Sequence, residues 1–253
     1  MNQRDLTLRG LLNQAAQAFT NLDGPILRSF RRLVTQPGAL TMAYLQGQRK
    51  PYTLPLQLFL VANVLFFAMQ SLSGAKIFST PLDQHLHSDI WGGVASQLLT
   101  QRLAAHRTTL ELYTPVFNQA VALNAKSLIV LMVAPFALLP AIVFYRSRRP
   151  FVAHIVFSLH FYTFLLLLLC LSLMAVSLDK SLGGRGLESE SFDHVLSILQ
   201  LIVCATYLYV AAGTVYGARG VIRILKVVSL TVAVGAIFLG YRFALFLITL
   251  YNT

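Results

Sequence analysis

Two polar side chains set in long apolar stretches decide what chemistry this 253-residue chain could perform: His160 and Arg242. His160 falls in the apolar run Val152 to Leu178, and Arg242 in the run Ile224 to Leu250. At a helical rise of about 1.5 Å per residue, each lies roughly 12 Å inside its run, entered from opposite ends. In a hydrocarbon core about 30 Å thick, the two fall within one side-chain length of each other in depth. Asn63, Thr206 and Tyr207 fall near the same level. An arginine so deep is costly unless it snorkels, pairs with polar groups or lines a wet cavity. Two outcomes are open. Arg242, His160, Asn63 and Tyr207 form a mid-membrane site for an anion, a lipid head or a quinone-like ring. Otherwise Arg242 snorkels outward and His160 satisfies a backbone carbonyl.

Several chemistries are excluded. No acidic residue falls inside the apolar runs, which removes paired carboxylates, a proton relay and the usual partner of a catalytic histidine. The chain has no Gly-rich phosphate loop, nucleophile elbow or zinc spacing. His154 and His160 are six residues apart, some 120° around a helix, so they cannot grip one ion from one face. Cys170 and Cys204 both sit in apolar runs and read as small packing residues. No metal, cofactor or catalytic residue is expected, and an enzymatic role is not.

These side chains need membrane-spanning elements to hold them. Apolar residues make up 56% of the chain and charged residues only 11%, more apolar surface than a soluble core of this size could hide. Five segments are long enough to span: 54–72, 127–145, 152–178, 195–216 and 224–250. Pro135 and Pro140 should kink the second, because each removes a backbone donor and frees a carbonyl. Gly235 and Gly240 allow close helix approach in the fifth.

Orientation follows from basic residues, which are retained on the cytoplasmic side. The N-terminal segment and the loops after the second and fourth spans hold thirteen Lys and Arg against Asp5 and Asp23, a balance of +11. The opposite loops hold six against seven acids, a balance of −1. The expected topology is N-in, C-out, in a bacterial inner membrane, with no cleavable leader. The basic charge reads as topology signal and contact with anionic lipid heads, not as a nucleic-acid surface.

Outside the spans, residues 1–53 are expected to form a cytoplasmic amphipathic helical region. One apolar stripe runs from Leu8 to Phe19; a second joins Ile26, Leu27, Phe30, Leu33 and Val34, with Arg28, Arg31 and Arg32 available to lipid headgroups. Asp23 is a suitable N-cap ahead of Pro25. The stripe could equally pack on protein. Residues 73–125 form an external loop with one or two amphipathic helices from Asp89 onward.

The stretch Asn21-Leu22-Asp23-Gly24, then Leu33 to Gly38 (LVTQPG), then Tyr44 to Lys50 (YLQGQRK) with Tyr52 and Pro55, resembles a family of uncharacterised bacterial multi-pass membrane proteins. His154 to Phe161 is similar to the histidine-bearing span of that family. The resemblance implies a shared membrane architecture around a domain of unknown function. Many members carry a zinc ribbon before the first motif; this chain has no such cysteines. The resemblance supplies no activity.

The expected fold is an all-α polytopic membrane helix bundle. The expected function is a channel, carrier or lipid-handling protein, with a non-catalytic membrane scaffold as the alternative and a membrane redox protein as the third reading. Lipids are the expected partners, beside a second copy or another membrane protein.

Overall fold

The computed structural model describes residues 24–48, 50–73, 77–184, 186 and 189–253. Every regular element among them is helical. The expected helix over residues 8–19, the Asp23 cap and Arg49 of the YLQGQRK motif lie outside the described residues.

The chain enters through α1 (Pro25–Thr35), with Pro25 in its first turn, where a missing N–H costs nothing. Ser29 and Leu33 are buried, whereas Leu27, Arg28, Arg31 and Val34 are exposed. The helix is thus docked on protein by one face and keeps a mixed basic and apolar face outward. Pro37-Gly38 ends it. Gly38 has φ +84° and opens α2 (Ala39–Leu45). A Cβ there would meet Thr214 Cβ at 2.9 Å and the Ala211 carbonyl oxygen at 3.0 Å, so only glycine brings α2 this close to its neighbour.

Four helices are long and apolar enough to cross a membrane. They are α3 (Pro55–Ser73), α8 (Phe151–Ser181), α9 (Glu190–Tyr216) and α10 (Gly220–Asn252). Between α3 and α8 lie α4 (Leu82–Leu86), α5 (Gly92–His106), α6 (Leu110–Leu128) and α7 (Val133–Val143). A 3₁₀ turn, Ile129–Met132, joins α6 to α7, and the two axes bend by 59°. Counted as one broken span, this pair makes five. The break lies just ahead of Pro135, which has no N–H for the Leu131 carbonyl and whose ring crowds it. Pro140 sits inside α7. The helix before the break starts at Leu110, so residues 110–125, the last part of the expected external loop, are continuous with the bent pair.

Helix α8 is central. It is 56% buried over its most apolar stretch, against 17% for α10, whose outer face is open to lipid. The short connections between α8, α9 and α10 make the three antiparallel. One end of the bundle carries Arg148, Arg149, Arg219 and Arg223; the other carries α4 to α6. Phe78 ties that second end together. It is fully buried, edge-on to Phe66 and Phe238 at 5.3 Å and to Tyr241 at 5.9 Å. The Tyr241 hydroxyl donates to the Ala125 carbonyl at 3.0 Å, and Asn124 donates to Thr249 at 3.0 Å, fixing α6 to α10.

Candidate functional site

A cavity of about 440 Å³ lies between α8, α9 and α10, within the size range of small-molecule sites. Its deep walls are Leu165, Leu169, Cys204, Val234 and Phe238. Leu201 and Gly235 also line it and are exposed on the bundle's outer surface, so it opens sideways toward lipid. Polar groups gather in the part remote from the basic end: Ser172 on the second half of α8, Asp193 and Gln200 on the first half of α9, and Arg242 late in α10.

Arg242 is half-buried, and its Nε donates to Thr80 Oγ1 at 3.0 Å. Among the described residues its terminal nitrogens make no hydrogen bond, and no carboxylate lies within ion-pair range. Asp193 lines the same cavity without touching it. Ser172 and Gln200 are already joined, Gln200 Nε2 donating to Ser172 Oγ at 2.6 Å. The guanidinium therefore faces a mostly apolar chamber with donors unused and, among the described residues, no ion-paired carboxylate. An arrangement of that kind accepts an anionic group.

Beside this chamber, on the loop, His85 is 1% exposed. Trp91 Nε1 donates to His85 Nδ1 at 3.3 Å, and the ring lies 4.9 Å from that of Phe246. Burial first, and then the charge of Arg242, push its pKa down to about 4, so it is neutral at pH 7.

The structure separates the residues that depth alone grouped. His160 is 2% exposed, and its Nδ1 lies 2.8 Å from Thr41 Oγ1 of α2. It lines a different, very small cavity with Tyr52 and Thr53. Tyr207 is buried and stacked on Phe164 at 3.9 Å. Asn63 is nearly buried on α3, and neither it nor Tyr207 lines the Arg242 chamber. His154 Nδ1 pairs with the Tyr216 hydroxyl at 3.0 Å, so the two histidines of α8 serve different neighbours. Arg32 donates to the Tyr52 hydroxyl and lies over that ring, whereas Arg28 and Arg31 remain exposed. No group of three or more His, Cys, Asp or Glu side chains among the described residues has a metal-binding arrangement.

The segment that carries α1, α2 and most of α3 is also where a relationship to other proteins appears. Residues 23–67 match a family described as proteins of unknown function (DUF3667). No curated protein and no solved structure matches the chain. The matched segment, residues 23–67, supplies Thr41 to His160 and Gly38 to α9, but no side chain to the Arg242 chamber.

Five contributors to these sites escaped inspection of the sequence. Asp193 stands at the edge of an acidic connection, yet α9 begins at Glu190 and carries it into the helix. Ser172 and Gln200 are isolated polar residues in apolar runs, a signal that was available. Thr41 and Thr80 gave none, since each acts through a contact more than a hundred residues away.

Proposed function

We propose that this membrane protein binds an amphiphile of the bilayer, its tail between α8, α9 and α10 and its anionic head at Arg242. The role is lipid handling, without catalysis. One observation carries the reading: Arg242, without an ion pair among the described residues, turns its guanidinium toward a laterally open, largely apolar cavity of about 440 Å³. Desolvated positive charge without a carboxylate partner is costly, and an anionic head offsets that cost. Deep walls of Leu, Val and Phe suit an acyl chain, while Ser172 and Gln200 supply hydrogen bonds near the head. With the basic ends of the helices retained on the cytoplasmic side, the Arg242 end faces the outer leaflet.

The test is lipid retention. Protein purified from a mixture of phosphatidylglycerol and phosphatidylcholine is analysed by native mass spectrometry. Wild type should keep phosphatidylglycerol selectively, Arg242→Lys should keep part of it, and Arg242→Leu should lose the selectivity. Equal retention of both lipids by wild type, or unchanged selectivity in Arg242→Leu, overturns the reading.

A further inference from the structure

At the basic end, where the matched segment meets α8, a cavity of about 10 Å³ is closed by His160 and lined by Tyr44, Gln48, Tyr52 and Thr53. Two of its lining residues carry a buried polar atom with no protein partner among the described residues: His160 Nε2 and Thr53 Oγ1. Both side chains are buried, at 2% and 8% exposure. Their positions are not adjustable. His160 is held through Nδ1 by Thr41, and the Thr53 backbone N–H donates to Ser29 Oγ at 2.9 Å, a hydroxyl that itself donates to the Pro25 carbonyl at 2.7 Å.

Leaving a buried donor or acceptor unmade is costly, and native proteins rarely leave two in one place. The cavity is close to the minimum that holds one water, roughly 10–15 Å³, and it offers the two or more polar partners that such a water needs. We propose that it is a binding site for a single structural water, which bridges His160 Nε2 to Thr53 Oγ1 and so bonds the matched segment to α8. The site is too small for an organic ligand. Every lining side chain other than His160 belongs to the segment matched by the family, so the water is the third member of a joint built from that segment and one span histidine.

The sign of one substitution separates the possibilities. Thr53→Val replaces a hydroxyl by a methyl of nearly the same volume. If the hydroxyl holds a water, the variant loses a hydrogen bond and strands the histidine, and its melting temperature in lipid nanodiscs falls by about 2–4 °C. Thr53→Ser, which keeps the hydroxyl, should recover most of that loss. A melting temperature unchanged or raised by Thr53→Val overturns the proposal, because removing a truly unpaired hydroxyl is neutral or stabilising. A cryo-EM map of the wild type fine enough to show ordered water gives an independent reading. Density within hydrogen-bond distance of both atoms is expected. A collapsed pocket with His160 Nε2 bonded directly to protein overturns it.

Discussion

Arg242 Nε and Thr80 Oγ1 lie 3.0 Å apart, joining the last span to a loop residue 162 positions earlier in the chain. Thr80 reaches that place because Phe78, two residues before it, is fully buried among Phe66, Phe238 and Tyr241. The loop is thus pinned by one aromatic side chain, and the pin sets the position of the only hydrogen-bond partner Arg242 has among the described residues.

Phe78→Ala should therefore act on both stability and ligand retention. Truncating a buried phenylalanine costs about 3–5 kcal/mol. The expected result is a large fall in melting temperature together with weakened phosphatidylglycerol retention. Thr80→Val should weaken retention with little change in melting temperature.

Gly38→Ala should undock the family-matched segment. A non-glycine residue at φ +84° is strained, and the new Cβ would meet Thr214 Cβ at 2.9 Å and backbone at 3.0 Å, which cannot yield cheaply. A loss of more than about 1 kcal/mol is expected. Limited proteolysis should show new cleavage between α1 and α3 while the spans stay protected.

Thr41→Val should remove the Nδ1 partner of His160 and leave that nitrogen buried without a bond, at a cost of about 1–3 kcal/mol. Thr41→Ser should be close to wild type. Thermal unfolding in nanodiscs distinguishes them, and equal melting temperatures for wild type and Thr41→Val would remove any weight from this contact.

His85 makes the loop end sensitive to acid. Its folded pKa of about 4 lies below the ordinary value of 6.5, so the unfolded chain binds the extra proton first. The stability contributed by neutral His85 is complete above pH 6.5, declines as pH falls from 6.5 to 4, and is constant below that. Trp91 is the only tryptophan in the chain and donates to the His85 ring, so its fluorescence should change with a midpoint near pH 4. His85→Phe should flatten both responses.

The all-α class and the existence of several apolar spans were legible because 20-residue apolar runs have few other uses. The arrangement of their polar residues was not. Counting rise along a helix places His160 and Arg242 at one depth, but depth is a single coordinate. Which way each side chain faces depends on helix neighbours, and the structure turns His160 toward α2 and Arg242 toward the chamber and Thr80. The break at Ile129–Met132 was also hidden. Pro135 announces a kink, but the helix before it starts at Leu110, in a stretch whose mixed polarity pointed to an amphipathic helix of the external loop and not to half of a span. The docking of α2 rests on a seven-residue helix and one glycine, too short a pattern for periodicity to register.

The contact between Thr41 and His160 spans 119 residues, and Gly38 rests on α9 further along still. During synthesis the segment 23–67 emerges long before either partner exists. Its exposed leucines and basic side chains must wait, on the membrane surface or on a chaperone, until α8 and α9 have been inserted. Closure of this joint is therefore a late step of assembly, and a ribosome stalled before α9 would carry a segment that is made but has nowhere to dock.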